Sequence, residues 1–93
     1  MTIGFLQLEI KLLYPSSLKD KRSVLKRMKN LTRKKFNISV AELANLQSIR
    51  STVLGFVTIN TDNDIIHNTL SNIENLIETE FDIQIINRKV ENL

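Results

Sequence analysis

Residues 2–13 read TIGFLQLEIKLL, and apolar and polar side chains alternate along the whole stretch. This places Leu6, Leu8, Ile10 and Leu12 on one face and Phe5, Gln7, Glu9 and Lys11 on the other. A period of two is typical of a β-strand with one buried face. Pro15 ends the pattern, because proline has no backbone N–H for a sheet ladder. The chain is therefore predicted to begin with a half-buried strand.

The next segment is predicted to be a helix from about Leu18 to Phe36. Ser17 and, three residues later, Asp20 fit a capping box at its start. At 100° per residue one side of this helix is apolar. That side carries Leu18, Val24, Leu25, Met28, Leu31 and Phe36. We expect this side to pack against the buried face of the strand.

The rest of the chain repeats this architecture. Residues 38–43 and 51–59 are predicted strands, and the polar residues 44–50 connect them. A second helix, which starts with a capping box at Thr61 and Asp64 or with Asp62 as N-cap, is expected to end near Glu80, and residues 83–90 follow as a strand. The order βαββαβ predicts one α+β domain over 1–93 with a ferredoxin-like fold, in which two helices cover one face of a four-stranded antiparallel sheet.

Composition excludes several classes of function. The chain has no Cys, so it has no disulfide scaffold, thiolate metal site or cysteine nucleophile. The N-terminus lacks the pattern of a signal peptide, and no apolar run is long enough to span a membrane, so we expect a cytoplasmic protein without membrane contact. His67 is the only histidine, and we interpret it as a surface residue of the second helix.

No catalytic constellation is visible in the sequence. Residues 1–16 contain Gly4 but no Arg, whereas acylphosphatases of this architecture need a glycine-rich phosphate loop with an arginine. An acid–base pair of Glu9 and Glu42 is conceivable across strands, but we expect single exposed carboxylates instead. We therefore expect a non-enzymatic protein that uses no metal and no cofactor.

Positive charge is concentrated on the first helix. Between Ser16 and Phe36 nine of the thirteen basic residues stand beside one acid, Asp20, although the whole chain carries only +3. Five of them follow one another at spacings of three and four, namely Lys19, Arg22, Lys26, Lys29 and Arg33. Like charges at these spacings repel each other, so an anionic ligand would stabilise the stripe. Alternatively, the stripe is an ordinary solvated surface whose repulsion is screened by salt.

An internal partner for the stripe is also available. Six acids and no Lys or Arg lie between Asp62 and Asp82, and the second helix would lie beside the first. Glu74 and Glu78 are the expected partners of one flank of the basic helix. The other flank would face water.

Lys21 projects from the middle of the apolar face of the first helix. One interpretation is that its aliphatic stem lies along the core while the ammonium reaches solvent at the helix end. The other is that the cation sits in a pocket at the end of the sheet, ready for a phosphate or a carboxylate.

The outer face of the sheet is a second candidate surface. We expect Ile3, Phe5, Leu54 and Phe56 to point away from the helices there. An exposed apolar patch of this kind favours a homodimer interface over base stacking by its aromatic rings.

Three segments of the chain resemble the YlxP-like family of small uncharacterised bacterial proteins. They are Ser17-Leu18-Lys19-Asp20-Lys21-Arg22 with its continuation to Lys26, Phe36-Asn37-Ile38-Ser39-Val40-Ala41-Glu42, and Leu54-Gly55, and Arg33 between the first two segments also matches. The resemblance implies a ferredoxin-like fold and a bacterial cytoplasmic protein whose gene lies near genes of translation initiation and ribosome maturation factors. Residues 43–49 differ from the polar loop usual in that family, so no function of that loop is carried over.

Together these features predict a protein that binds RNA or a ribosomal particle through its first helix. The residues expected to contact phosphates are Lys19, Arg22, Lys26, Lys29 and Arg33, with Arg27 and Lys34 on the flank and Lys21 as a further candidate. Phosphate contacts of this kind give affinity and position rather than sequence choice. The alternative is a homodimeric protein-interaction module without direct nucleic-acid contact.

Overall fold

A computed structural model describes all residues, 1–93, and contains the predicted order of elements. The four strands and two helices are β1 (Thr2–Leu12), α1 (Leu18–Lys35), β2 (Ser39–Ala44), β3 (Ser51–Asn60), α2 (Asn63–Glu80) and β4 (Ile83–Asn92). The strands form one antiparallel sheet in the order β2-β3-β1-β4. This confirms the α+β, ferredoxin-like prediction.

Side-chain oxygens cap both helices at their starts. At α1 the Oγ of Ser17 accepts a hydrogen bond from the backbone N–H of Asp20 at 3.0 Å, as the sequence predicts. At α2 the N-cap is Asp62, whose Oδ1 accepts from the backbone N–H of Asp64 at 2.9 Å, rather than Thr61. The elements end within two residues of the predicted bounds.

The core lies between the sheet and the two helices. It contains the inward residues of the strands and the apolar stripes of the helices, which are Leu6, Leu8, Ile10, Leu25, Met28, Val40, Leu54, Phe56, Ile66, Leu70, Ile73 and Ile77. Gly4 allows α2 to approach β1 closely, because a Cβ at this position would overlap the side chain of Ile66. Neither helix has an apolar stretch long enough to cross a lipid bilayer.

The prediction for β3 was wrong about which side chains face outward. In the register between β1 and β3, Phe56 is opposite Leu6 and Leu54 is opposite Leu8, so all four share the helix-facing side of the sheet. Leu54 and Phe56 are fully buried in the core. Neither belongs to an exposed dimer or stacking face.

The outer face instead carries Ile3 and Phe5 of β1 with Val57 and Ile59 of β3. Phe5 is half-buried, and it packs with Leu43 of β2 over Gly55, where a Cβ would lie 2.6 Å from the Cδ1 atom of Leu43. The sequence was ambiguous because β3 is apolar on both faces around Gly55, so alternation alone did not identify the buried side.

Candidate nucleic-acid interface

A groove of about 350 Å³ runs beside α1 where that helix passes over β2 at the edge of the sheet. Four cationic side chains line it: Arg22, Lys26, Lys29 and Arg33. Their spacings of four, three and four residues place them on one stripe of the helix. The remaining lining residues are Leu25, Asn30 and Glu42. Four of the five cations of the predicted basic stripe therefore line a concave surface.

None of these four cations has a carboxylate partner within the chain. The three ion pairs of the protein join Lys21 to Glu42, Arg88 to Glu74, and Lys89 to Glu91. Arg33 makes a single long hydrogen bond, from Nη2 to the carbonyl oxygen of Val40 at 3.4 Å. The four cations of the groove are thus free of ion pairs within the protein itself.

The expected pairing of α1 with the acids of α2 was wrong. Glu74 accepts from the Nε of Arg88 on β4 at 2.7 Å, and Glu78 makes no ion pair. Arg88 lies opposite Leu8 in the sheet, on the face that the helices cover. Because β4 places Arg88 below α2, Glu74 forms its ion pair with this arginine rather than with a cation of α1.

Lys21 cannot contact a nucleic acid, contrary to its place among the predicted phosphate ligands. Its side chain is fully buried. The ammonium lies 3.0 Å from the Oε2 of Glu42 and donates to the carbonyl oxygen of Asn45 at 2.6 Å. Asn45 has a left-handed backbone, with φ of 63°, and this turn aims its carbonyl inward. The cation is thus held in a closed site at the end of the sheet, and its ligand is a carboxylate of the same chain.

Glu42 is neither a free surface carboxylate nor a partner of Glu9. The side chains of Glu42 and Glu9 lie on opposite faces of the sheet, because Glu42 pairs in register with Leu54 and Glu9 with Val53. Besides Lys21, the hydroxyl of Thr52 on β3 donates to Glu42 Oε2 at 2.6 Å. The side chain of Glu42 is 15% exposed and is one of the residues that line the cationic groove.

The other predicted contact residues are distributed over different sides of α1. Lys19 is exposed at the start of the helix and does not line the groove. Arg27 and Lys34 face α2, where the guanidinium of Arg27 lies 5.5 Å from the ring centre of Phe81. The structure thus brings four of the eight predicted residues together, places three elsewhere on the helix surface, and buries Lys21.

Sequence reasoning missed the contribution of Glu42, Thr52 and Asn45 to this region. A lysine in the middle of an apolar helix face signals that a buried acceptor lies opposite. The identity of that acceptor depends on how the hairpin of β2 and β3 folds beneath α1. No local pattern in the sequence specifies this long-range contact.

The outer face of the sheet has a shallow depression of about 410 Å³ near the start of β2. Its apolar lining residues are Ile3, Ile38, Val57 and Ile59. Val57 and Ile59 are 38% and 51% exposed.

His67 is exposed on α2, and no three His, Cys, Asp or Glu side chains lie together in the geometry of a metal site.

Comparison with known families identifies one match that covers nearly the whole chain. The sequence model of DUF503, described as a protein of unknown function, matches residues 3–90. No curated protein matches the chain significantly.

Proposed function

The chain belongs to the DUF503 family, whose function is unknown, and we propose that it binds RNA or a ribosomal particle through the groove beside α1. One observation carries the proposal: Arg22, Lys26, Lys29 and Arg33 line one groove without a carboxylate partner. Like charges gathered on one helix are unfavourable for folding alone, and a row of phosphates would neutralise them. No catalytic step is part of this function.

The assignment of a bacterial origin and a cytoplasmic location rests on the resemblance of residues 17–26 and 36–42 to the YlxP-like family. We propose on this basis that the protein is a bacterial, cytoplasmic member of DUF503. The neighbourhood of ribosome maturation genes that this resemblance implies is the reason to prefer RNA over other polyanions.

The test is charge reversal within the groove. Arg22→Glu/Lys26→Glu should abolish retention of ribosomal RNA and leave the circular dichroism spectrum and melting temperature close to those of the wild type. The matched control is Lys11→Glu/Lys89→Glu, which changes the net charge equally on the outer face of the sheet. RNA retention by the groove variant, or an equal loss in both variants, would show that the groove is not the binding site.

Salt dependence gives a second measurement of the same site. About five phosphate contacts, from the four groove cations and Lys19, predict a slope of roughly −3 to −5 in a plot of log affinity against log salt concentration. Lys26→Gln should make the slope shallower by about one contact. If Lys26→Gln leaves the slope of log affinity against log salt concentration unchanged, Lys26 does not contact a phosphate and the groove is not the binding site.

A second candidate function is a homodimeric interaction module, and the apolar outer face favours it. Ile3, Val57 and Ile59 surround the depression there, on the side of the sheet that the helices leave uncovered. Nuclease treatment of the complex isolated from native cells separates the two functions. An RNA-dependent complex should fall apart on nuclease treatment, whereas a protein-only complex should survive it.

A further inference from the structure

The cationic groove contains one carboxylate, and its position is unusual for a phosphate-binding surface. Glu42 lines the same groove as Arg22, Lys26, Lys29 and Arg33. A carboxylate repels phosphate oxygens, and it accepts hydrogen bonds but donates none when ionised. A ligand that is complementary to this groove would present a hydrogen-bond donor to Glu42 beside the anionic groups that the cations bind.

The carboxylate is held in place from its buried side only. The ammonium of Lys21 and the hydroxyl of Thr52 both approach Oε2, at 3.0 and 2.6 Å. No hydrogen bond within the chain reaches Oε1. The Glu42 side chain is 15% exposed and lines the groove, while Lys21 on its other side is fully buried.

Building on the proposed function, we propose that Glu42 selects RNA over DNA by accepting a hydrogen bond from a ribose 2′-hydroxyl. The ribose places this hydroxyl beside the backbone phosphate, so phosphates and a donor reach neighbouring points of one groove. The 2′-hydroxyl is the group by which a protein distinguishes RNA from DNA at a given site. A DNA backbone has phosphates but no such donor, so it would cover Glu42 and leave Oε1 without a hydrogen-bond partner.

The experiment compares three short hairpins of one mixed sequence, made of RNA, of 2′-fluoro RNA and of DNA. The 2′-fluoro sugar keeps the RNA-like helix shape and all base donors but lacks the hydroxyl donor. We expect the wild-type protein to bind RNA about tenfold more tightly than either of the other two, which is the typical effect of one unpaired acceptor. Equal binding of RNA and 2′-fluoro RNA would overturn the proposal, because shape or base contacts would then suffice.

Variants at the site are chosen to preserve the fold while they change the hydrogen-bond acceptor. Lys21→Met/Glu42→Leu replaces the buried ion pair with apolar side chains, a change that proteins often tolerate. It should bind RNA and 2′-fluoro RNA equally. Lys21→Met/Glu42→Gln is the matched control, since its amide oxygen still accepts a hydrogen bond, and it should retain part of the preference for RNA. A preference that persists in the leucine variant would overturn the role of Glu42.

The outcome for the groove itself is read separately. One outcome is that the wild type binds all three hairpins equally while Arg22→Glu/Lys26→Glu binds none of them. In that case the groove binds nucleic acid, and only the proposed role of Glu42 is wrong. If wild type binds none of the hairpins and no ribosomal RNA, both the proposed function and the selectivity are wrong.

Discussion

At the residue scale the least expected feature is a lysine that is fully inside the protein. Lys21 occupies a position of α1 that an apolar side chain would ordinarily fill, and its ammonium is held by Glu42 and the Asn45 carbonyl. A buried ion pair contributes little compared with an apolar pair of similar volume, but removal of one partner leaves a buried charge without compensation. The pair also links α1 to the β2–β3 hairpin.

Stability measurements should show this asymmetry. Glu42→Ala leaves the ammonium of Lys21 with the Asn45 carbonyl alone, and we expect the free energy of unfolding to fall by about 3 kcal/mol. Lys21→Met/Glu42→Leu should cost much less, because neither charge remains. Urea denaturation of both variants measures the difference. Equal losses would mean that the packing of side-chain stems, not the charge, decides stability here.

At the element scale α1 is a helix whose surface composition opposes its own stability. Its groove-facing stripe has four cations at spacings of three and four residues and no acid among them. The helix is stable because the adjacent side buries Leu25, Met28 and Thr32. Such a balance is expected of a binding surface, where charge serves a partner rather than the fold.

Neutral substitutions in the stripe should therefore stabilise the protein. For Lys26→Gln/Lys29→Gln we expect a gain of about 0.5 kcal/mol in unfolding free energy at low salt, since glutamine forms helices as well as lysine does. The gain should vanish at high salt, where the repulsion is already screened. The same variant should bind RNA more weakly. A destabilised variant would contradict the view that the stripe is maintained for a ligand.

The strand β3 presents a different problem at the same scale, because its two faces are nearly equally apolar. The register with β1 decides that Leu54 and Phe56 point inward while Val53 and Val57 point outward. A shift of one residue would exchange these faces. Apolar and polar residues alternate clearly along β1, so Leu6 and Leu8 face the core. Their pairing with Phe56 and Leu54 determines which face of β3 is buried.

Adjacent alanine substitutions test this orientation directly. Phe56→Ala should cost about 3–5 kcal/mol in unfolding free energy, because it leaves a cavity in the core. Val57→Ala, at the adjacent and partly exposed position, should cost less than about 1 kcal/mol. Chemical denaturation of the two variants gives the comparison, and a larger loss for Val57→Ala would reverse the assignment of faces.

At the scale of the whole molecule two unlike surfaces lie on opposite sides of the sheet. The cationic groove opens on the helix side, at the β2 edge, and the apolar depression lies on the outer face. The molecule extends 42, 21 and 17 Å along its three principal axes. A stable dimer buries about 800 Å² per partner, so it would need contacts beyond the apolar residues around the depression. The apolar part alone supports only a weak association.

The oligomeric state in solution tests whether the outer face forms an interface. Val57→Glu/Ile59→Glu should convert any homodimer formed through the outer face into the 10.7 kDa monomer and leave RNA binding by the groove unchanged. Sedimentation equilibrium of the wild type and the variant over a range of concentrations measures the masses. A dimer that survives these substitutions would use another surface.

The sequence by itself determined the order and type of the elements, because the strand and helix periods and the caps at Ser17 and Asp62 are local properties of the chain. It also determined that the cations of α1 form a stripe, because helical spacing depends only on position. Only the tertiary structure decided which face of β3 is buried, that Glu74 pairs with Arg88, and that Lys21 meets Glu42 beneath the groove. These are contacts between residues that are distant in sequence, and they depend on strand register and on the placement of helices over the sheet.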